Sequence, residues 1–261
     1  MLLKNKVVFV TGGGTGIGAA VAETAVRDGA NVVVMGRRAD TVQAVASRIG
    51  PATLSHAGDA ASTADVRAAI QQAHAAFGGL DAVVACAGTV EVGAVADTDD
   101  DSWRRMMYSN LDTAFVTARE ALPSLIERRG AIVIVSSIAG LEAMPSSCGY
   151  ITAKHAVIGL GRSLAFDYGA HGVRTNVVCP GWIRTPMADA EMAAIMARDS
   201  ISLDDAYALV TSETPLKRPG TAAEVAELCC YLISERASLI TGAVITVDAG
   251  STVVSVPTLK M

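Results

Sequence analysis

The chain has 261 residues, 51% of them hydrophobic and 18% charged, with a net charge of −5. That balance argues against a nucleic-acid surface, which rests on clustered Lys and Arg, and no stretch reaches the roughly 18 apolar residues of a membrane span. Five scattered cysteines, odd in number and without C-x-x-C spacing, and four histidines without H-x-x-x-H pairing indicate neither a disulfide framework nor a metal site.

Residues 1–6 lack the apolar core of a secretion signal, so a soluble, cytoplasmic protein is expected. A short apolar run at 7–10 predicts the first strand, and a helical pattern follows at 16–28. Between them lies Thr11-Gly12-Gly13-Gly14-Thr15-Gly16-Ile17-Gly18. In that junction Gly12, Gly16 and Gly18 let the backbone turn tightly and approach a pyrophosphate, with amides aimed at it from a helix N-terminus. The loop therefore predicts a dinucleotide site.

A second strand at 31–35 ends at Gly36, followed by Arg37 and Arg38. A site selective for NAD usually carries an acid there for the ribose hydroxyls. Two arginines favour a ribose phosphate, because guanidinium binds it in a two-pronged, charge-assisted contact; alternatively they open the next helix, which runs to 49, as solvated charges. A strand at 53–57 leads to Asp59, which either accepts a hydrogen bond from the adenine amino group or caps the helix at 62–77. Strand 81–85, one long helix at 103–128, strand 131–135, helix 149–169 and strand 173–178 continue the alternation. Nearly every strand is apolar throughout, as parallel strands buried on both faces are.

After Pro180-Gly181 the rhythm breaks: residues 187–214 are rich in Ala, Met, Asp and Glu and look helical. An insertion beyond the carboxyl end of a strand lies where open α/β sheets bind ligands, so this segment is either a substrate lid or a plain surface helical hairpin. Helix 222–234 and strand 243–247 complete a single domain spanning 1–261, without repeats or linkers.

Tyr150 and Lys154 stand four residues apart in the helix at 149–169. Four helical residues advance about 400°, so phenol and ammonium share a face. A nearby cation favours the phenolate, whose ordinary pKa is about 10, and makes Tyr150 an acid–base group near neutrality. The alternative is an ordinary helix surface pair.

Taken together, the glycine loop, Ala85-Cys86-Ala87-Gly88, Ser109-Asn110, Val135-Ser136-Ser137, Tyr150-Ile151-Thr152-Ala153-Lys154, Pro180-Gly181 and Val247-Asp248 resemble a short-chain dehydrogenase/reductase over nearly the full chain. The resemblance implies a doubly wound, Rossmann-type α/β fold with a seven-stranded parallel sheet in the order 3-2-1-4-5-6-7. It implies Tyr150 as acid–base, Lys154 on the nicotinamide ribose, Ser137 hydrogen-bonding the reacting carbonyl, and Asn110 kinking its helix and positioning a water toward Lys154. Thr15, Ile17, Ala87, Gly88, Pro180, Gly181, Ile183 and Thr185 are matched to the cofactor site, and a homotetramer is implied. Cys86 departs from the family's usual asparagine, replacing a strong hydrogen-bonding group with a weak one. Cys148, two residues before Tyr150, either lines the substrate pocket or is a small buried hydrophobe.

These readings converge on an oxidoreductase that interconverts a ketone and a secondary alcohol, reducing a 3-oxoacyl-type or small or cyclic ketone with NADP(H), NAD(H) remaining possible. The alternatives are an NAD-dependent alcohol or cyclic diol dehydrogenase and, from another class, a non-catalytic nucleotide sensor or scaffold. The expected partner is a small carbonyl or alcohol substrate, with no nucleic acid, membrane or metal.

Overall fold

A computed structural model describes residues 1–254. Seven parallel strands form the sheet: β1 (Val7–Thr11), β2 (Asn31–Gly36), β3 (Thr53–Ala57), β4 (Ala82–Ala85), β5 (Ala131–Val135), β6 (Arg174–Pro180) and β7 (Val244–Val247). Their spatial order is β3-β2-β1-β4-β5-β6-β7. The predicted order is therefore observed.

Successive strand residues point to opposite faces, and the two cores follow that period. Val8 and Val10 pack with Val32 and Val34 beneath α1 (Gly16–Arg27), α2 (Ala39–Ile49) and α9 (Ala222–Ile233). Val7 and Phe9 pack with Val33 and Met35 on the other face, beneath α3 (Thr63–Phe77), α5 (Thr113–Arg128) and α6 (Cys148–Tyr168). Burial on both sides explains the unbroken apolar strands. Among the described residues no helix is long and apolar enough to cross a membrane.

The expected single helix over 103–128 is instead three pieces. It starts earlier, at α4 (Asp100–Met107), because the Asp99 carboxylate caps it by accepting from the Ser102 amide at 2.7 Å. It then widens into a π-helical turn, Tyr108–Asp112, before α5. The cause lies at Asn110, whose side-chain amide donates to the Met106 carbonyl one turn back at 3.1 Å and to the Thr89 carbonyl at 2.9 Å. A side chain that bonds local backbone competes with the helical ladder, and such turns recur at functional sites.

The insertion after β6 is a helical hairpin, α7 (Pro186–Asp199) and α8 (Leu203–Val210). It has a small core of its own, formed by Ala188, Met192, Ala206 and Tyr207. The Tyr207 hydroxyl donates to Asp189 at 2.7 Å, while the Arg184 guanidinium stacks on the Tyr207 ring at 4.6 Å and pairs with Asp204. A two-residue ribbon, Ile183–Arg184 against Gly220–Thr221, ties the base of the hairpin together. Tyr207→Phe removes the hydroxyl donor to a half-buried carboxylate and should loosen the hairpin by about 1–2 kcal/mol. Hydrogen exchange should then quicken in α7 and α8 while β1 and β4 stay protected; uniform protection across the hairpin would contradict this anchor.

Candidate active site

The glycine loop, Arg37-Arg38, Asp59, Ala87-Gly88 and Ser136-Ser137 follow the carboxyl ends of strands, the crevice edge of an open α/β sheet, while Asn110, Tyr150 and Lys154 reach it from helices. Gly12 follows β1 at φ +69°, a left-handed conformation, and a Cβ there would lie 2.8 Å from the Cys86 carbonyl oxygen. At Gly18 a Cβ would stand 2.3 Å from the Gly12 oxygen. Side chains are thus excluded where the loop folds onto α1. The first turn of α1 contains no acidic residue and its N-cap, Thr15, makes no side-chain cap bond, so amides at this end have no protein partner from a cap.

The loop borders a cavity of about 460 Å³ that also reaches Arg37, Arg38, Thr41, Asp59, Ala87, Gly88 and Tyr108. Arg37 and Arg38 are exposed, and neither joins an ion pair among the described residues. Thr41 Oγ1 donates to the Arg38 carbonyl at 2.9 Å, holding the start of α2 beside the cavity. Asp59 does not cap α3, since Ser62 accepts from the Asp65 amide in that position. It closes its own turn by accepting from Ala61 N, and takes a hydrogen bond from the Tyr108 hydroxyl at 3.1 Å. Tyr108 was not anticipated as a wall residue; helical periodicity misplaces it because the π-helical turn rotates its face.

Deeper in the crevice, Lys154 is 6% exposed and its ammonium donates to the Val135 carbonyl at 3.2 Å. Its own carbonyl accepts from Ser136 Oγ at 2.8 Å. Burial therefore pulls the Lys154 pKa down to about 8. The ammonium lies 5.5 Å from the centroid of the Tyr150 ring. The predicted lowering of the Tyr150 pKa does not occur here: burial pushes the phenol up to about 12, and a hydrogen bond with Ser137 acts in the opposite sense. Desolvation outweighs a cation that sits over the ring rather than at the hydroxyl.

The two serines after β5 divide as the alternation of a strand end demands. Both serines border the cavity shared with Tyr150, but the Ser136 hydroxyl is spent on the Lys154 carbonyl of α6, whereas that of Ser137 bonds Tyr150. Asn110 is 2% exposed and fully engaged, its Oδ1 accepting from Thr89 N at 3.3 Å. At Gly88 a Cβ would lie 2.7 Å from that oxygen and 3.5 Å from the Lys154 ammonium, so the missing side chain keeps the space between them open. Burial raises the Cys86 thiol to about 11, leaving a neutral small group beside the loop.

Beyond Tyr150 a second cavity of about 130 Å³ is bounded by Ser137, Ile138, Met144, Pro180, Gly181, Trp182, Ile183, Thr185 and, from α7, Met187 and Glu191. Thr185 also caps α7, accepting from Ala188 N at 3.2 Å. Glu191, hidden in sequence within the broad 187–214 segment, faces this cavity because it lies one turn beyond Met187. Cys148 is absent from the walls. Two helical residues before Tyr150 rotate it away, and its thiol pairs with Thr98 Oγ1 at 3.2 Å. Among the described residues no three His, Cys, Asp or Glu side chains are grouped to hold a metal.

A family model described as enoyl-(acyl carrier protein) reductase, of the short-chain alcohol dehydrogenase type, matches residues 12–252. The chain belongs to the short-chain dehydrogenase/reductase family. It is 43% identical to protein MoaE of Klebsiella aerogenes, covering 97% of this chain and 98% of that one. It is 35% identical to 2-(S)-hydroxypropyl-CoM dehydrogenase 3 of Xanthobacter autotrophicus, with the same coverage. The solved aldohexose dehydrogenase of Thermoplasma acidophilum superposes with a TM-score of 0.89 at 30% identity, covering 97% of this chain and 96% of that one. As a short-chain dehydrogenase/reductase the chain is an oxidoreductase acting between CH–OH and C=O with a nicotinamide coenzyme. The glycine cradle at 12 and 18, the uncapped α1 terminus and the cavity reaching Arg37 fit such a dinucleotide.

The buried ammonium has a consequence for stability. Between about 8 and the ordinary 10.5 the unfolded chain holds the Lys154 proton while the folded chain does not, so stability rises with pH across that window. Lys154→Met carries no such proton and should be more stable than the native chain near neutrality, by up to about 3 kcal/mol. Urea titrations should find that advantage shrinking as pH climbs through 8 toward 10.5. A difference constant with pH would argue against a desolvated charge at this position.

Proposed function

We propose that this chain is an NADP(H)-dependent reductase of ketones, and that the cofactor and catalytic residues are those expected from the sequence. The observation that carries the coenzyme preference is the end of β2, where Gly36 is followed by two exposed, unpaired arginines bordering the larger cavity. A carboxylate there would repel a ribose phosphate, whereas guanidinium binds it. In this reading Gly12, Thr15, Gly16, Ile17 and Gly18 hold the pyrophosphate, Arg37 and Arg38 the ribose phosphate, and Asp59 the adenine side. Ala87, Gly88, Pro180, Gly181, Ile183 and Thr185 bound the nicotinamide half.

The bound coenzyme supplies the hydride to the carbonyl carbon. Tyr150 gives its proton to the carbonyl oxygen; a phenol held up near 12 keeps that proton at neutral pH, the state from which reduction starts. Ser137 donates a hydrogen bond to the same oxygen as charge develops on it. Lys154, with two N–H donors beyond the one spent on Val135, holds the nicotinamide ribose, and its charge favours the phenolate once the proton has left. Asn110 positions the water that restores the proton through Lys154, in the space that the missing Gly88 side chain leaves open.

Residues 187–214 are proposed to cover the substrate, since α7 already supplies Met187 and Glu191 to the cavity wall. Phe115 on α5 and Phe166 on α6, 44% and 88% exposed, support packing of these helices between copies in a homotetramer. Five cysteines without disulfides support a reducing, cytoplasmic setting. Similarity to the 2-(S)-hydroxypropyl-CoM dehydrogenase of Xanthobacter favours a second reading, oxidation of a secondary alcohol.

Steady-state assays with both coenzymes separate the readings. NADPH should exceed NADH in kcat/KM, and Arg37→Ala with Arg38→Ala should cut the NADPH value by roughly 10–100-fold while sparing NADH. Equal or better use of NADH by the native chain would sink the preference. Tyr150→Phe should leave coenzyme binding near intact and lower turnover by about 10²–10⁴-fold; turnover near the native rate would remove the phenol from the chemistry.

A further inference from the structure

The cavity beyond Tyr150 is mainly apolar, walled by Ile17, Ile138, Met144, Trp182 and Met187, and Glu191 is the one charged side chain among its lining residues. The carboxylate is half-buried, burial alone raises its pKa, and it joins no ion pair among the described residues. Its neighbours on α7 differ: Asp189 accepts from Tyr207, and Asp199 pairs with Arg198. Desolvating a carboxylate without a counter-charge is costly. Its negative charge also opposes ionisation of Tyr150, which the chemistry requires. A side chain that weakens both the fold and the acid–base group, and faces the substrate space, calls for a partner arriving with the substrate.

We propose that Glu191 determines specificity by binding a cationic amino group, and that the substrates are small amino ketones and the matching amino alcohols. The proposal rests on the ketone–alcohol reading above. An ammonium supplies the missing counter-charge, while the apolar walls and the Trp182 ring accept the carbon skeleton. A neutral hydroxyl would satisfy hydrogen bonding yet leave the charge unbalanced. A carboxylate substrate would be repelled by Glu191. Pairing also removes the nearby negative charge that resists phenolate formation, so recognition and turnover improve together.

The test uses the full chain with its preferred coenzyme saturating, titrated calorimetrically with 1-amino-2-propanol, 2-butanol and 3-hydroxybutyrate. The amino alcohol should bind roughly 10–100-fold more tightly than 2-butanol, and 3-hydroxybutyrate most weakly. In Glu191→Gln the ratio of amino alcohol to 2-butanol should fall close to one, and Glu191→Asp should restore part of it, with coenzyme affinity and melting temperature confirming that both variants are folded. Equal binding by the native chain, or a preference that survives Glu191→Gln, would overturn the proposal. Oxidation rates of the same alcohols keep the two readings apart. A Glu191-dependent binding preference without oxidation by either coenzyme removes the ketone–alcohol reading and leaves the recognition site, whereas oxidation without preference does the reverse.

Discussion

One buried ammonium organises the centre of this molecule. Lys154 is held at the carboxyl edge of the sheet by the Val135 carbonyl, and its own backbone carbonyl is fixed by Ser136. Such a charge is costly to desolvate, and the lowered pKa records that cost. Space for the arrangement comes from small residues: a Cβ on Gly140 would stand 2.6 Å from the Lys154 carbonyl oxygen, so α6 approaches the end of β5 only because that side chain is missing. The closeness of α6 to the strand end is what puts Tyr150 and Ser137 on one cavity.

Topology does the rest of the gathering. The strand order reverses between β1 and β4, and the loops leaving these two strands diverge to leave a crevice. Residues from position 12 to position 191 meet there although the sequence separates them widely. Tyr150, Ile17, Ser136, Thr185 and Met187 border both a cavity of about 190 Å³ on the Lys154 side and the one of about 130 Å³ facing Glu191. The phenol therefore stands where the two cavities meet, and the smaller one is walled both by Pro180, Gly181, Ile183 and Thr185, proposed for the nicotinamide half, and by Met187 and Glu191, proposed for the substrate.

The strands were legible as short, wholly apolar runs, their order only through the family resemblance, and the glycine loop because its sterics are local. Four features were not. The π-helical turn at Tyr108–Asp112 rests in part on a contact between Asn110 and Thr89, residues distant in sequence, so periodicity over 103–128 had no signal to break the helix, and only the family resemblance placed a kink at Asn110. The direction of the Tyr150 shift depends on how much water the fold removes, whereas spacing reports only which groups share a face. Cys148 was left open between pocket wall and small buried hydrophobe, because two helical residues turn a side chain to another face and sequence does not say which, and the thiol pairs with Thr98. Glu191 lay inside a segment read as helical, and its orientation follows from the hairpin core of Met192 and Tyr207, which sets which face of α7 turns inward.

Charge is graded along the crevice. Among the described residues, two guanidiniums without ion pairs stand at the β2 end with the Asp59 carboxylate near them, one buried ammonium lies in the middle, and one carboxylate without a counter-charge closes the far end. A ligand carrying phosphates is drawn toward the first two and repelled by the last, which orients a dinucleotide before any specific hydrogen bond forms. The same gradient acts on a second ligand in the opposite sense, favouring a molecule whose positive end lies away from the coenzyme. Tyr150 sits where the sign changes, between the Lys154 ammonium and the Glu191 carboxylate. Burial is the main influence holding its proton, the Glu191 charge adds to it, and neutralising Glu191 removes that added resistance to ionisation.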